Sequence, residues 1–585
     1  MPVSGTTLTS LRPLIQGRNG VVVASHPDAA MAGLEILKRG GNAIDAGVAV
    51  GLALNVLHSH ECSFLGVAPM LLYLADRREV VSIDGLGVWP KAMSLDYLQK
   101  HHQGKLPPGI MRTLTPGAAD AWFTALAQYG TLRFGDVAQA AISLAGEGFP
   151  MYRFLASAIQ SAPKVYGAAP GTAAVFLPGG RPPKVGEMFY QKDLAASLRA
   201  LAAVEASHES QGRVKALQAA RDVVYTGDIA QEIAAYCKAE GGLMTMEDIA
   251  AYRVRAEPPA KVNYRGYDVY CTGPATQGPV FPQMLKILEG FDLRAMGHNS
   301  AAYAHTVDQA MNLAFADREA YIGDPAFVDV PMEAMLSEAY LRERRKLIDP
   351  NRAWPGMPPA GDPRRNRATV EGAPQSAAEA TAPAGTRGKE TSGTSYFGVI
   401  DKRGNIFSCI PSEGAKSGPI IPGTGLALSW RGFQAKTEPG HAAAIAPGKR
   451  PRLTPCPALV LKDGEPVMAL GGYGGDHIPQ GTLQVFLNMI EFGLDPQEAV
   501  EAPRFYTYSF PASQTPPAYN PGLMRIEKRV ALGVFESLRE RGHTVEAHPE
   551  WWEGACLYGA IVRDPVSGVL QGGADPRGEA YAVGY

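Results

Sequence analysis

Cysteine is scarce in this sequence, and the six that occur stand far apart. They are Cys62, Cys237, Cys271, Cys409, Cys456 and Cys556, and no two of them form a CxxC pair. There is therefore no signal for a zinc knuckle or a dithiol redox motif, and six cysteines in 585 residues are too few for a disulfide scaffold. The chain is long enough to fold around a large hydrophobic core instead.

An excess of charge of either sign is also missing. The 55 Lys and Arg residues nearly balance the 57 Asp and Glu residues, which gives no basis for a nucleic-acid surface or an acidic tail. The most apolar run, residues 43–57, is too short to span a bilayer and contains Asp45 and Asn55. The N-terminus lacks a basic start followed by an apolar stretch, so no signal peptide is expected. We expect a cytoplasmic protein without nucleic-acid or membrane partners.

Strands and helices are predicted on both sides of a loose segment at about 350–392. Residues 356–388 are rich in Pro, Ala, Gly, Thr and Arg, which is typical of chain that cannot offset its ordering entropy. Before the segment, the pattern predicts strands at 20–24, 70–75 and 80–84, helices at 28–39 and 42–57, and a mostly helical region at 116–347. After it, the pattern predicts strands at 394–401, 405–411, 457–462, 466–471, 558–563 and 568–572, and helices at 478–492, 496–500 and 528–541.

Neither half of the chain contains the elements of a complete two-layer domain. The last strands should therefore pair with the first and close one composite core. This organisation predicts an α/β fold in which helices lie outside two stacked sheets. The abundance of glycine (65) and proline (47) suits a loop-rich enzyme better than a helical bundle.

A hairpin turn, DKRGN, follows the loose segment at residues 401–405. Gly404 suits the left-handed position at the end of a three-residue loop. Counting outward from that loop along both strands places Thr394 opposite Ser412. Two hydroxyl groups are therefore expected to face each other at the open end of the hairpin.

These hydroxyl groups favour an N-terminal nucleophile. In this interpretation Thr394 Oγ1 attacks the carbonyl carbon of Gly393, and water then cleaves the resulting ester. Thr394 becomes a new N-terminus, and its α-amine, with a reference pKa of about 8, acts as the base for its own hydroxyl. Gly393 is the least hindered electrophile that a chain can offer. On spacing alone, the alternative stays open that GTS begins an ordinary strand.

A glycine-rich loop, GGYGGD at residues 471–476, precedes a predicted helix. Its backbone N–H groups are free of side-chain obstruction and suit an oxyanion hole, which the helix N-terminus reinforces. A flexible strand-to-helix turn is one alternative. A phosphate loop is another, although the GxxxxGK[ST] spacing is missing.

Other polar residues allow two interpretations each. Residues 58–62, HSHEC, are of metal-ligand type, but no second cluster completes a zinc site, and a polar turn near an active site is the other interpretation. Arg431 suits either a substrate carboxylate or a structural ion pair. Structural ion pairs are also expected for Asp317, Arg318, Asp575 and Arg577.

Eight motifs are distributed over nearly the whole chain. They are GGNAIDA (40–46), LTPGAADAW (114–122), AGEGFP (145–150), GGLMTMEDIAAY (241–252), FADREAYIGDP (315–325), GGYGGD (471–476), EAPRF (501–505) and ADPRGEAYAVGY (574–585). Together they are far more specific than any single motif, and they resemble the γ-glutamyltranspeptidase family of self-cleaving N-terminal-nucleophile hydrolases.

The resemblance implies a stacked αββα sandwich built jointly by a large chain, 1–393, and a small chain, 394–585. It implies cleavage between Gly393 and Thr394, no metal or organic cofactor, and an assembly that can be a dimer of heterodimers. The implied catalytic residues are Thr394 as nucleophile, Ser412 as its hydrogen-bond partner, and Gly474 and Gly475 as oxyanion donors. The implied substrate-binding residues are Arg431, Thr454 and Tyr473.

Departures from the family pattern concern the substrate. The stretch that carries the carboxylate-binding arginine in true γ-glutamyltranspeptidases, here DGLGVWPKAMSLDYL, has no arginine. The acidic motif that binds the α-amine is replaced by ALSWRGFQ, and a serine pair by Leu453 and Thr454. Gly414 replaces an asparagine near the nucleophile. These changes resemble the acylase and amidohydrolase branch of the family.

We therefore expect a self-processing amidohydrolase that acts on a small amide or acylated amine bearing a carboxylate. One alternative is a genuine γ-glutamyl hydrolase or transferase acting on glutathione-like substrates. Another is an uncleaved, inactive homologue that works as a binding protein, since Tyr396 and Ser412 replace the more usual histidine and threonine.

Overall fold

The computed structural model describes residues 10–369, 393–552 and 556–585. The strands are β1 (Ile15–Gly17), β2 (Gly20–Ala24), β3 (Met70–Leu74), β4 (Glu79–Ile83), β5 (Phe149–Pro150), β6 (Met188–Phe189), β7 (Ala256–Glu257), β8 (Ala260–Tyr264), β9 (Tyr267–Cys271), β10 (Phe397–Asp401), β11 (Ile406–Cys409), β12 (Ala458–Lys462), β13 (Glu465–Tyr473), β14 (Phe505–Thr507), β15 (Leu523–Glu527), β16 (Thr544–His548), β17 (Leu557–Arg563), β18 (Leu570–Ala574) and β19 (Tyr581–Gly584).

The α-helices are α1 (Pro27–Lys38), α2 (Ala43–Leu57), α3 (Leu95–His102), α4 (Ala118–Tyr129), α5 (Phe134–Glu147), α6 (Arg153–Ser161), α7 (Pro163–Tyr166), α8 (Pro170–Phe176), α9 (Lys192–Ser207), α10 (Arg213–Tyr225), α11 (Asp228–Ala239), α12 (Met246–Ala251), α13 (Val280–Leu288), α14 (Leu293–Met296), α15 (Ala301–Tyr321), α16 (Met332–Met335), α17 (Glu338–Arg345), α18 (His477–Ile490), α19 (Pro496–Glu501) and α20 (Leu532–Glu540). Asn42 caps α2, and its side chain accepts hydrogen bonds from the N–H groups of Ile44 and Asp45.

Two antiparallel sheets of seven strands form the centre of the molecule. One has the order β1-β18-β17-β13-β12-β9-β8, and the other β19-β2-β10-β11-β3-β4-β7. Apolar side chains of both sheets meet in one buried cluster that includes Val23, Tyr73, Ile400, Leu459 and Ile561. Burying these two apolar faces against each other drives the stacking of the sheets.

Helices cover the outer face of each sheet. Helices α1 and α2 pack on the sheet that contains β2 and β10, and α13 and α18 pack on the sheet that contains β12 and β13. Helices α4 and α5 pack against α2, and α15 packs against α13. The layers are therefore helix, sheet, sheet and helix, which confirms the predicted αββα sandwich. Strand β19 pairs with β2, and β18 pairs with β1, so the end of the chain closes on its beginning as predicted.

The region 116–347 is mostly helical, as predicted, but the sequence pattern missed one strand pair in it and one further expectation needs correction. The missed strands β8 and β9 form a hairpin at the edge of a sheet, and Arg265 and Gly266 in its turn both have positive φ. The expected loose segment, about 350–392, is anchored in its first part, because Arg344 Nη1 donates to the carbonyl groups of Pro359 and Ala368. Residues 370–392 lie outside the described residues.

All six cysteines are buried. Among the described residues, no helix is long and apolar enough to cross a membrane.

Asp401 joins the hairpin β10–β11 to the start of α2. Its carboxylate accepts hydrogen bonds from the N–H groups of Arg403 and Asn405 in the hairpin turn, at 2.9 and 3.0 Å. It also accepts one from the N–H of Ala43 at 2.9 Å. A single buried carboxylate therefore satisfies both the turn and the helix N-terminus, where a negative charge is favourable.

We expect Asp401→Ala to destabilise the fold by about 1–3 kcal/mol, because several buried N–H groups lose a charged acceptor. Thermal unfolding monitored by circular dichroism measures the loss as a lower midpoint temperature. The control is Asp76→Ala, which removes an exposed partner of Arg403 at 3.5 Å and should change the midpoint little. Equal effects of the two substitutions would contradict this role for Asp401.

Candidate active site

The hairpin brings Thr394 and Ser412 together. Strands β10 and β11 pair with Phe397 opposite Cys409, and the same register continues to an isolated bridge between Thr394 and Ser412. The two hydroxyl oxygens are 3.0 Å apart, and both residues are fully buried. The counting from the turn is thus confirmed.

The carbonyl oxygen of Gly393 lies among hydrogen-bond donors. The hydroxyl groups of Thr394 and Ser412 each donate to it at 2.6 Å. The N–H of Glu413 lies 3.3 Å away, and Arg431 Nη1 lies 3.5 Å away. Apart from the Thr394 hydroxyl, which would be the nucleophile, these groups are placed to stabilise an oxyanion if Thr394 attacks the carbonyl.

The turn at residues 58–62 packs directly against this peptide bond. A Cβ atom on Gly393 would lie 2.6 Å from Glu61 Cα and 2.8 Å from the Glu61 carbonyl oxygen, so only glycine fits without moving the backbone. Glu61 Oε2 accepts a hydrogen bond from the N–H of Thr394 at 2.9 Å. The Ser395 hydroxyl is hydrogen-bonded to His58 Nδ1 at 2.8 Å. The interpretation of HSHEC as a polar turn beside the active site is therefore confirmed.

Metal-ligand chemistry finds no support in this turn. Within the described ranges, no group of three or more His, Cys, Asp or Glu side chains is arranged to hold a metal ion. Burial lowers the pKa of His58 and of His60 well below the usual value, so both imidazoles are neutral at pH 7. Their rings lie in an aromatic group with Tyr152 and Phe154.

The glycine-rich loop connects β13 to α18. Gly474 and Gly475 both have positive φ, 132° and 63°, and a Cβ atom on Gly474 would lie 1.8 Å from Cys556 Sγ. Gln277 Nε2 donates to the carbonyl oxygens of Thr454 and Gly475, at 2.9 and 3.0 Å. Because Thr454 also accepts a hydrogen bond from Arg431, this amide ties the loop to the donors at Gly393.

Ion pairs hold the end of this loop and the neighbouring helices. Arg318 pairs with Asp476, the last residue of the loop, and Asp317 pairs with Arg344 at 3.2 Å. Arg577 pairs with Asp575 at 3.0 Å. The expectation of structural ion pairs is confirmed for all four residues.

Arg431 is fully buried in the 3₁₀ turn Arg431–Gln434. Its guanidinium contacts neutral oxygens in the described part of the chain: Nη2 donates to Thr454 Oγ1 at 2.9 Å, and Nη1 lies near Gly393 O. Burial lowers its pKa to about 10, and the charge of Glu413 opposes that shift. The guanidinium still carries its charge at pH 7, without a carboxylate at hydrogen-bond distance among the described residues.

Tyr473 ends β13 with its side chain buried. Among the described residues, its hydroxyl has no hydrogen-bond partner. Burial raises its pKa well above the usual value, and the charge of Glu61 raises it further. Tyr473 therefore lies within electrostatic range of the turn at residues 58–62.

Sequence reasoning missed two buried carboxylates, Glu61 and Glu413. Glu413 follows Ser412 directly, has a positive φ of 73°, and accepts hydrogen bonds from the Ser429 hydroxyl and the Trp430 N–H, both at 2.8 Å. Glu61 lies inside the HSHEC motif, which predicts a polar turn but gives this carboxylate no role of its own. The signal that the sequence offers is one acidic residue in the HSHEC motif and one directly after Ser412, the predicted partner of the nucleophile.

Ionisation of Glu413 should make stability depend on pH. Burial raises the pKa of Glu413 from 4.5 to about 7, so the folded state holds a proton that the unfolded state has lost over this range. The contribution is present below pH 4.5 and is lost as the pH rises through about 7. The parent should therefore lose stability between pH 4.5 and about 7, whereas Glu413→Gln should not. The difference in stability between the two proteins should grow in favour of Glu413→Gln over this range and remain constant above it.

Midpoint temperatures between pH 4 and 9 measure this difference. The parent and Glu413→Gln are both measured with the additional substitution Thr394→Ala, which removes the predicted nucleophile, so that neither protein is cleaved and the two are compared as single chains. Glu536→Gln, an exposed site on α20, is the control and should give a curve parallel to that of the parent. A parallel curve for Glu413→Gln would contradict the raised pKa.

Comparison with known proteins agrees with this geometry. The family model described as Gamma-glutamyltranspeptidase matches residues 29–585. The Acylase ACY 1 proenzyme of Pseudomonas sp. (strain SE83) is 34% identical over 97% of this chain and 94% of its own. The Glutathione hydrolase-like YwrD proenzyme of Bacillus subtilis (strain 168) is 32% identical over 97% of this chain and 99% of its own.

A solved structure extends the comparison to the fold. The cephalosporin acylase from Bacillus halodurans superposes with a TM-score of 0.84 at 30% identity, over 100% of this chain and 99% of its own. The relatives are proenzymes and hydrolases of amide C–N bonds. The chain therefore belongs to the gamma-glutamyltranspeptidase family and is a self-processing amidohydrolase of the N-terminal-nucleophile type.

Proposed function

We propose that this chain cleaves its own Gly393–Thr394 bond and then hydrolyses a small amide or acylated amine that carries a carboxylate. The observation that carries the proposal is the convergence of Thr394 and Ser412 on the carbonyl of Gly393. The products of cleavage are a large chain, 1–393, and a small chain, 394–585, which stay together as one composite domain. The proposal includes a cytoplasmic location and a dimer of such heterodimers.

Self-cleavage proceeds in two steps. Thr394 Oγ1 attacks the carbonyl carbon of Gly393, the C–N bond breaks, and the proton of the hydroxyl passes to the departing nitrogen. Water then hydrolyses the ester, which leaves a carboxylate on Gly393, frees the hydroxyl of Thr394 and releases a proton to the α-amine formed in the first step. The donors around the Gly393 oxygen support this route, because they stabilise the charge that develops in both steps.

In the mature enzyme, the α-amine of Thr394 is the base for its own hydroxyl. Ser412 keeps the hydroxyl oriented through the 3.0 Å contact. Gly474 and Gly475 supply N–H groups for the substrate oxyanion at the N-terminus of α18. Water hydrolyses the acyl-enzyme on Thr394 and regenerates the free hydroxyl. The link from Gly475 through Gln277 to Thr454 supports this assignment.

Arg431 is the proposed partner of the substrate carboxylate, Thr454 accepts a hydrogen bond from it, and Tyr473 is a further proposed substrate-binding residue. A buried guanidinium whose hydrogen bonds go to neutral oxygens favours an anion. The relatives named as acylases support an acyl group other than γ-glutamyl. The relatives named as glutathione hydrolases support a second candidate, γ-glutamyl hydrolysis or transfer.

The cleavage proposal predicts two fragments that divide at Gly393 and Thr394 in freshly purified parent protein. Thr394→Ala should remain a single chain, because it has no nucleophile. Intact-mass spectrometry with N-terminal sequencing measures both results. Thr454→Ser is the control, since it keeps a hydroxyl for Arg431 and should still be cleaved. An uncut parent would favour the binding-protein alternative.

The carboxylate proposal predicts that the mature enzyme prefers glutaryl-p-nitroanilide to pentanoyl-p-nitroanilide, which has the same chain length without the charge. Arg431→Met should lower kcat/KM for the glutaryl substrate about 100-fold, since a charge-assisted contact is worth about 2–3 kcal/mol. The pentanoyl substrate should lose less than about tenfold.

Arg431 also contacts Gly393, so its substitution can change how much of the protein is cleaved. The rates are therefore expressed per mole of small chain, which counts only the matured enzyme. Equal losses for both substrates would contradict carboxylate binding by Arg431. Efficient transfer from γ-glutamyl-p-nitroanilide to glycylglycine would favour the second candidate.

A further inference from the structure

The carboxylate of Glu61 contacts the nitrogen atom that self-cleavage would release. Glu61 lies in the turn after α2, and its side chain is only 9% exposed. Oε2 is 2.9 Å from the backbone nitrogen of Thr394, which is still a neutral amide in the uncleaved chain. The sequence separation is 333 residues, so the contact depends on the tertiary fold.

In the uncleaved chain, no positive charge among the described residues lies at hydrogen-bond distance from this buried carboxylate. Lys416 Nζ lies 3.9 Å from Oε1 and is partly exposed. His60 Nε2 lies 3.5 Å away, but burial lowers the pKa of His60, so its ring is neutral at pH 7. A buried carboxylate is costly unless a positive charge faces it at hydrogen-bond distance. In the uncleaved chain, the donor at that distance is an amide N–H.

We propose that Glu61 holds and tunes the α-amine of Thr394 in the mature enzyme, as a positioning residue for the base. This inference rests on the proposed cleavage at Gly393. The departing nitrogen receives the proton of the hydroxyl in the first step, and a second proton, released when the ester is hydrolysed, makes it an ammonium. Cleavage thus replaces a neutral donor by a positive charge at the atom that Glu61 already contacts.

The charge of Glu61 offsets the other charges around this amine. Burial raises the pKa of Glu61, and the positive charges of Lys416 and Arg431 oppose that rise. Without Glu61 they would lower the pKa of the α-amine as well, because like charges disfavour the protonated form. The other titratable groups that face Glu61 are His60, Cys62, Tyr152, Tyr166 and Tyr473.

The substitution Glu61→Gln removes the negative charge of the side chain and leaves its size and shape nearly unchanged. The amide keeps an oxygen that accepts from the Thr394 nitrogen, and the backbone contacts of Glu61 with Gly393 are unchanged. The α-amine should then lose an opposite charge at hydrogen-bond distance, and its pKa should fall by about one unit or more. Glu413→Gln is the matched control, since it removes another buried carboxylate whose hydrogen bonds go to Ser429 and Trp430.

The measurement uses matured protein labelled with ¹³C at threonine γ-methyl groups. The Thr394 methyl signal is assigned by its loss in Thr394→Ser, and its chemical shift is followed from about pH 5 to 10, a range that brackets the reference pKa of an α-amine. We expect a pKa in Glu61→Gln that is lower than in the parent by about one unit or more, and a smaller change in Glu413→Gln. If Glu61→Gln remains uncleaved, Glu61→Asp, which retracts the charge by one methylene, should lower the pKa by a smaller amount.

The outcomes separate the two levels of inference. An unchanged pKa in cleaved Glu61→Gln or Glu61→Asp overturns the role of Glu61 and leaves the cleavage intact. Equal shifts in Glu61→Gln and Glu413→Gln would also overturn it, because the effect would then reflect general charge rather than contact. A parent that is never cleaved has no such amine, and this result contradicts the proposed function itself.

Discussion

The register of one antiparallel hairpin is the constraint on which the active site depends. Strands β10 and β11 pair so that Thr394 lies opposite Ser412. A slip of one residue would turn either side chain to the other face of the sheet. The hairpin lies in the middle of its sheet, between β2 and β3, so burial on both faces fixes that register. The two hydroxyl groups are therefore positioned by the core and not by a surface loop.

The peptide bond between Gly393 and Thr394 is constrained both sterically and electrostatically. The turn at residues 58–62 leaves room only for glycine at position 393, and it also places the Glu61 carboxylate on the next nitrogen. On the other side, Ser412, Glu413 and Arg431 face the carbonyl oxygen. The bond thus has donors at its oxygen and an acceptor at its nitrogen. The donors suit the negative charge that forms on the oxygen when Thr394 attacks, and the acceptor suits the nitrogen once that nitrogen is protonated.

Local sequence patterns predict the part of this site that lies within the hairpin, but they do not predict the contacts made by residues distant in the sequence. The turn DKRGN determines the pairing of Thr394 with Ser412 through a count of residues, because both strands are regular. The contact of Glu61 with Thr394 joins positions 333 residues apart, and no periodicity reveals it. The hairpin β8–β9 was missed because it is short and flanked by helices. The first part of the expected loose segment is held by Arg344, a contact that composition alone does not show.

The position of the proposed cut explains how one fold can serve both as precursor and as enzyme. The bond between Gly393 and Thr394 precedes β10, so cleavage breaks no strand pairing of β10 with β2 or β11. The hydrogen bond from Ala43 to Asp401 also remains, and it joins the large chain to the small one. Thr394 can therefore exchange an amide for an amine while its hydroxyl and its neighbours stay in place. Its nitrogen gains a charge beside Glu61 without any need to rebuild the core.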